Sequence, residues 1–181
     1  MHRLFIGIRP PEHVGDLLLD AMEGIEGARW QDEANLHLTL RFIGEVGRPV
    51  ANDLATALER ISAPPFTARI EGVGHFERKG HPHALWARIV PSDPLETLRQ
   101  KVERACESVG FERETRKFTP HITLARLNRA SGPVGAWLAS FGDMHAEWDI
   151  HGFTLYESHL GHTGAHYEAI AEYPLQGIAP E

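Results

Sequence analysis

The chain has 181 residues, of which 42% are hydrophobic, and this is enough to bury the core of one compact domain. Its net charge of −7 at pH 7 excludes a protein that coats nucleic acid by bulk electrostatic attraction. Cys106 is the only cysteine, which excludes an intrachain disulfide and a cysteine-based zinc ribbon.

Hydrophobic periodicity and turn signals predict alternating strands and helices. The first half of the chain contains a strand at 3–8, a helix at 11–25, a strand at 36–43, a helix at 50–61 and a strand at 66–76. The second half contains a strand at 84–90, a helix at 94–109, a strand at 118–127, a short segment at 134–141, and strands at 147–158 and 166–175 that form a hairpin. The apolar run at 4–8 is too short for a signal peptide or a membrane span, and we expect a soluble cytoplasmic protein.

The helix at 94–109 has the clearest boundaries in the chain. Asp93 is the predicted N-cap, Glu96 completes a pattern like a capping box, and Gly110 is the stop signal. Cys106 falls on the apolar stripe of this helix, so we interpret it as a core residue and not as a nucleophile.

A unit of strand, helix and strand recurs along the chain after about 80 residues. The matched positions are Leu4 and Leu85, Pro11 and Pro94, and His37 and His121. Nearly constant spacing of this kind is typical of an internal duplication. We therefore predict a single bilobal catalytic domain over 1–181, built from repeats at approximately 1–80 and 81–181, in which the two histidine strands face each other.

Each unit of strand, helix and strand ends in a His-x-Thr-x motif inside its second predicted strand. The first is "HLTL", with His37 and Thr39, and the second is "HITL", with His121 and Thr123. Side chains alternate between the two faces of a strand, so each histidine shares a face with its threonine, and the apolar residues take the other. Two imidazoles and two hydroxyls then converge on one cleft.

Both motifs lie where acidic residues are absent. The segments 34–44 and 115–142 contain no aspartate or glutamate, although the chain as a whole is acidic. Such local gaps favour an anionic ligand at the motifs.

Two histidines on either side of one reacting atom can act as general base and general acid, because an imidazole titrates near neutral pH. This pairing suits an in-line displacement at a phosphodiester. Thr39 and Thr123 would then hydrogen-bond its non-bridging oxygens, and Arg126 or Arg41 would offset the developing negative charge.

The segments "RLFIGI", "NLHLTLRFIGEV", "FTPHITLAR" and "LYESHLGHTGAHYEAIAEYPL" resemble the 2H phosphoesterase superfamily, over essentially the whole chain. Within it they resemble the RNA 2′,3′-cyclic phosphodiesterases, also described as 2′-5′ RNA ligases. The resemblance implies an α+β, bilobal, pseudo-twofold fold, with two antiparallel sheets lining a central cleft and helices outside. It also implies hydrolysis of 2′,3′-cyclic phosphates to 2′-phosphates, without a metal or another cofactor.

The resemblance also implies roles for individual residues. His37 matches the histidine that protonates the departing 3′ oxygen, and His121 matches the one that deprotonates the water. Thr39 and Thr123 match the threonines that bind the phosphate.

Two further residues match the family at an odd distance from each histidine. Phe42, five residues after His37, matches an aromatic residue that stacks on the base, and Arg126, five after His121, matches an arginine that contacts the phosphate. Simple alternation puts both on the wrong face, so each strand needs a bulge or a twisted end.

The histidine content also raises the hypothesis of a metal site. Two groups of histidines are close in sequence: His159, His162 and His166, and His81 and His83. Glycines break any helix that would align the first group, so we interpret both groups as solvated turns and expect no metal.

Two alternatives stay open. A binding module could recognise RNA ends or cyclic nucleotides without turnover, with the four tryptophans as stacking platforms. They are dispersed, and we interpret Trp86, beside Leu85 in a predicted strand, as core. Ligation to a 5′-hydroxyl would use the same residues as hydrolysis.

The resemblance implies RNA ends or nucleotides bearing a 2′,3′-cyclic phosphate as partners. We expect a monomer with no membrane association.

Overall fold

The computed structural model describes residues 1–177, and within that range it contains nine β-strands and four α-helices. The strands are β1 His2–Ile8, β2 Arg29–Trp30, β3 Leu38–Val46, β4 Phe66–Arg78, β5 His81–Ile89, β6 His121–Arg126, β7 His145–Ile150, β8 Gly152–Gly161 and β9 Gly164–Pro174. The helices are α1 Glu12–Asp20, α2 Arg48–Glu59, α3 Asp93–Ser108 and α4 Gly135–Ser140. The predicted α+β class is confirmed.

The strands form one continuous antiparallel sheet in the order β7-β4-β5-β6-β3-β1-β8-β9, with the short β2 added beside β6. Its centre is narrow, because β3 and β6 are joined by the single pair Leu38–Ile122. We name the strands on one side of this pair the β1 half-sheet (β3, β1, β8 and β9) and those on the other the β5 half-sheet (β6, β5, β4 and β7). The two predicted sheets are thus two halves of one sheet.

Neither half-sheet coincides with a continuous half of the chain. Strand β4, from the first 80 residues, lies between β5 and β7, which both come from the second part of the chain. Strand β8, from the end of the chain, lies beside β1 at its start. The two parts of the chain therefore exchange strands across the molecule.

One face of the sheet and the helices that cover it form the hydrophobic core. Helix α3 presents Leu95, Leu98, Val102 and Cys106, all of which are fully or almost fully buried. Burial raises the pKa of the Cys106 thiol to about 12, which removes the thiolate at neutral pH. The interpretation of Cys106 as a core residue is confirmed. Among the residues described, no helix is both long and apolar enough to cross a bilayer.

Two predicted helix boundaries need correction. Helix α1 ends at Asp20 and not near 25, and the chain then turns through Gly24, which has a positive φ of 82°. The N-cap of α3 is Ser92 and not Asp93, because the Ser92 hydroxyl accepts the backbone N–H of Leu95.

The strand predicted at 147–158 is two strands. Strand β7 pairs with β4 in the β5 half-sheet, whereas β8 pairs with β1 and β9 in the other half. The chain crosses between them at His151 and Gly152. A Cβ at Gly152 would lie 2.8 Å from the carbonyl oxygen of Tyr173, so the close approach of β9 requires glycine here.

The histidine groups predicted in turns lie mostly in strands. In the β8–β9 hairpin only His162 and Thr163 form the turn, because Gly161 pairs with Gly164. His159 and His166 are paired across the two strands of this hairpin. The other group, His81 and His83, belongs to β5. Alternation of side chains in paired strands, and not loop geometry, therefore decides what these histidines contact.

Candidate active site

The two His-x-Thr-x motifs meet at the single residue pair that joins the half-sheets. The antiparallel register of that pair puts His37 opposite Thr123 and Thr39 opposite His121. All four side chains lie on the sheet face opposite the core, because the paired residues between them are fully buried. The predicted convergence of two imidazoles and two hydroxyls is present.

The backbone two residues before each histidine fixes its ring. Nδ1 of His37 lies 2.7 Å from the carbonyl oxygen of Asn35, and Nδ1 of His121 lies 2.6 Å from that of Thr119. A carbonyl oxygen only accepts, so Nδ1 of each ring carries the hydrogen. Nε2 of each ring is then the nitrogen that accepts or donates a proton in chemistry.

Each imidazole is also packed between aromatic side chains. The ring centroid distances are 4.7 Å from His37 to Phe5, 5.2 Å from His37 to Tyr167, 4.9 Å from His121 to Phe76 and 5.9 Å from His121 to Trp86. These contacts and the carbonyl hydrogen bonds restrict both the tilt and the rotation of each ring, so the two Nε2 atoms are oriented before substrate binds.

Trp86 is not the core residue that its apolar neighbours indicated. It is half-buried and lies opposite Thr123, on the face that carries the histidines. Its ring lies directly over Gly74, where a Cβ would come within 2.3 Å of the indole. Gly74 therefore makes room for Trp86 beside His121.

Burial lowers the pKa of both histidines below the ordinary value of 6.5. For His37 the hydrogen bond to Asn35 opposes this effect, while the positive charges of His121 and Arg126 lower the pKa further. For His121 the Thr119 carbonyl opposes burial, and the charge of Arg126 again lowers the pKa. The charge of Arg126 thus lowers the pKa of both rings, and the charge of His121 lowers that of His37.

Each motif strand contains the bulge that the odd spacing requires. Leu40 in β3 and Leu124 in β6 interrupt the register with the neighbouring strands β1 and β5. An extra residue reverses the alternation of side chains beyond it. Phe42 and Arg126 consequently return to the face of the histidines.

The bulge in β3 has the opposite effect on Arg41. Arg41 pairs with the fully buried Ile6, and its guanidinium donates to both carboxylate oxygens of Glu103 on α3, at 2.7 and 3.0 Å. It also donates to the carbonyl oxygen of Glu112 at 2.8 Å. Arg41 therefore borders the cleft with its charge already compensated, whereas the sequence indicated it as one of two arginines that could offset charge on a phosphodiester.

A cleft of about 390 Å³ opens on the histidine face. Thr39, Phe42 and His121 line it, together with the basic residues Arg116 and Lys117. Phe42 is 51% exposed, which suits a side chain that receives a flat ligand at the entrance. The remaining predicted site residues lie on the same sheet face next to this cleft: His37, Thr123 and Arg126.

Sequence reasoning missed the residues that hold the histidines in place. Two of them, Asn35 and Thr119, act through backbone carbonyls and therefore leave little trace in residue type. The one signal in the sequence is that both residues stand two positions before a motif histidine. The aromatic neighbours come from four other strands, and nothing local in the sequence links them to the motifs.

One protein-family model matches this chain over most of its length. The model of the 2′-5′ RNA ligase superfamily covers residues 10–162. The chain belongs to this superfamily. The resemblance expected from the sequence motifs is confirmed.

Curated members of the superfamily are similar along most of the chain. An RNA 2′,3′-cyclic phosphodiesterase of Aeropyrum pernix is 33% identical over 78% of this chain and 82% of that protein. One of Thermus thermophilus is 34% identical over 97% of this chain and 91% of that protein.

Two solved structures are similar in fold to this chain along nearly its whole length. The crystal structure of E. coli LigT complexed with 3′-AMP has a TM-score of 0.80 and 25% identity, and covers 97% of this chain and 99% of that one. The crystal structure of TT0787 of Thermus thermophilus has a TM-score of 0.78 and 28% identity, and covers 97% of this chain and 98% of that one.

Proposed function

We propose that the protein is an RNA 2′,3′-cyclic phosphodiesterase that produces 2′-phosphate ends by metal-independent catalysis with a histidine pair. The observation that carries the proposal is the matched anchoring of His37 and His121. Both rings are held at Nδ1 by a carbonyl and share one sheet face. Curated relatives with this activity are similar along most of the chain.

In the proposed mechanism, neutral His121 takes a proton from water through Nε2 as the water oxygen attacks phosphorus. His37, protonated at Nε2, donates its proton to the 3′ oxygen as the bond between phosphorus and that oxygen breaks. The phosphate stays on the 2′ oxygen. Attack and departure occur on opposite sides of phosphorus, as a histidine on each half-sheet allows.

The other residues stabilise the phosphate and the base. Thr39 and Thr123 would donate to the non-bridging oxygens, and Arg126 would offset the charge that builds up on them. Phe42, exposed at the cleft, would stack on the terminal base. Arg41 takes no part, because Glu103 already pairs with it.

The proposed substrates are RNA ends and nucleotides bearing a 2′,3′-cyclic phosphate. A 5′-hydroxyl that replaces the water would give a 2′-5′ linkage through the same two proton transfers, so ligase activity belongs to the proposal. Both His-x-Thr-x motifs lie in one chain, so one chain supplies both histidines, and the proposed state is a monomer built from an internal duplication. We assign its action to the cytoplasm.

The decisive experiment incubates the protein with a short RNA that ends in a 2′,3′-cyclic phosphate, in excess EDTA. Phosphorus NMR then identifies the position of the product phosphate. A 2′-phosphate formed in the presence of chelator is the expected result. Unchanged substrate together with saturable binding would favour a binding module, and product only without chelator would require a metal.

The dependence of kcat/KM on pH should be bell-shaped, with its maximum below pH 6.5. Burial lowers the pKa of both histidines, so the proton that the general acid donates is lost as pH rises through a value below 6.5. At still lower pH the general base becomes protonated. Steady-state rates from pH 4 to 9 measure both limbs, which belong to the pair and not to one residue. A flat profile over this range would contradict the mechanism.

Replacement of Thr39 or Thr123 by alanine should lower kcat/KM about 10- to 150-fold. Each hydroxyl would donate to a charged phosphate oxygen, and such a bond contributes about 1.5–3 kcal/mol. Serine at either position keeps the hydroxyl and is the matched control. If serine is as damaging as alanine, the methyl group and not the hydroxyl matters.

A further inference from the structure

A cluster of imidazole and carboxylate groups lies on the sheet face opposite the catalytic histidines, near the end of the β8–β9 hairpin. Glu157 and His159 are alternate residues of β8, and Glu168 faces Glu157 from β9. One ligand atom from each of the three lies within 4.8 Å of the others. Glu157 pairs with the buried Leu4 of β1, so the cluster is on the core face of the β1 half-sheet, opposite the cleft.

The distances within this cluster resemble those between the ligands of a metal ion. Nε2 of His159 lies 2.9 Å from Oε2 of Glu168 and 3.9 Å from Oε2 of Glu157. Bonds of about 2.1 Å in a tetrahedral site separate neighbouring ligand atoms by about 3.4 Å, which is the middle of that range. Small side-chain movements would therefore let all three bind one ion.

A fourth residue already orients one of these ligands. Nδ1 of His2, on β1, lies 2.7 Å from Oε1 of Glu157. This contact occupies one carboxylate oxygen and directs the other, Oε2, toward His159. Hydrogen bonds to ligating carboxylates are the usual support of a metal site, and this one is independent of the three ligand atoms.

We propose that Glu157, His159 and Glu168 bind a divalent transition-metal ion of the zinc class. An imidazole nitrogen with two carboxylates suits Zn²⁺, whereas Ca²⁺ and Mg²⁺ prefer ligand sets made only of oxygen. Water, or His166, which faces His159 across the hairpin with its ring centroid 6.3 Å away, completes the coordination. The ion joins β8 to β9 and, through His2, to β1.

This site is structural and separate from the proposed chemistry. It neutralises two carboxylates that the sheet holds side by side, and it fastens the hairpin that carries Tyr167, one of the aromatic neighbours of His37. Zinc should therefore raise thermal stability, while turnover in EDTA continues.

The test is isothermal titration of the metal-free full chain with zinc chloride, with a parallel measurement of the melting temperature. We expect one saturable site per chain and a melting temperature that rises by several degrees at 100-fold excess over Kd. Both effects should disappear in His159→Ala and in Glu168→Gln. Both should remain in His162→Ala, which removes a histidine from the turn of the same hairpin but not from the cluster.

A second variant separates this site from the catalytic pair. In His37→Ala the titration should be unchanged, whereas loss of binding there, with binding retained in His159→Ala, would move the ion to the catalytic histidines and overturn the proposal. The absence of saturable binding to the intact chain would overturn it as well. None of these results depends on turnover, so they are independent of the test of the phosphodiesterase.

Discussion

Alanine at His121 or at His37 should lower kcat for hydrolysis of a 2′,3′-cyclic phosphate by about two to four orders of magnitude. Each substitution removes a proton transfer that general acid–base catalysis needs, and such a transfer contributes about 10²- to 10⁴-fold. Circular dichroism should remain that of the native protein, because both rings lie at the cleft face and outside the aliphatic core. Single-turnover rates measure the loss without interference from product release.

The two histidines should also behave as a unit. Because they act in one displacement, the double variant should be nearly as active as the worse of the two single variants, and the two losses should not multiply. His162→Ala, a change at the exposed turn, is the matched control and should retain full activity. Turnover retained in either single variant would exclude the acid–base assignment.

Among the proposed substitutions, Glu103→Leu should lower the stability most, by about 3–5 kcal/mol in the free energy of unfolding. The side chain of Glu103 is 3% exposed and that of Arg41 is 10% exposed, so the substitution leaves a guanidinium almost buried without its counter-charge. Urea denaturation measures this loss as a lower midpoint with little change in slope.

Two comparisons make this result specific to the buried pair. Glu96→Gln, on the same helix, breaks the ion pair of the more exposed Glu96 with Arg99 and should cost less than about 1 kcal/mol. The double substitution Arg41→Met with Glu103→Leu should recover much of the stability, because it removes both charges. An equal cost for Glu103→Leu and Glu96→Gln would show that burial of the pair is unimportant.

The pair Arg41–Glu103 also supports the cleft. Glu103 accepts the backbone N–H of Glu114, and Arg41 donates to the carbonyl of Glu112. The chain continues from there through Arg116 and Lys117 at the cleft. We therefore expect the Glu103 variant to lose substrate affinity in addition to stability.

The convergence of the two His-x-Thr-x motifs could be predicted from sequence because it depends on local periodicity. Alternation in a strand assigns His37 and Thr39 to one face whatever the rest of the fold, and the same holds for His121 and Thr123. The repeat spacing then indicated that the two strands meet. The α+β class followed from the same periodic signals.

The sequence-based predictions that were wrong have one cause, which is that tertiary contacts override local patterns. The position of the bulge at Leu40 depends on the register with β1, so the partner of Arg41, 62 residues away on α3, had no local signal. Trp86 follows a leucine in a strand, and only its position opposite Thr123 reveals that it lies on the face of the histidines. The break between β7 and β8 likewise reflects contacts with β4 and β1.

The exchange of strands across the sheet affects how the chain would respond to a protease. Lys79 and Gly80 form the exposed turn between β4 and β5, where trypsin can cut. The first fragment would carry β4 without either of its neighbours, and the second would carry β8 without β1. Each fragment supplies a strand that the other lacks, so the two fragments of the nicked protein would stay associated, with His37 on one and His121 on the other.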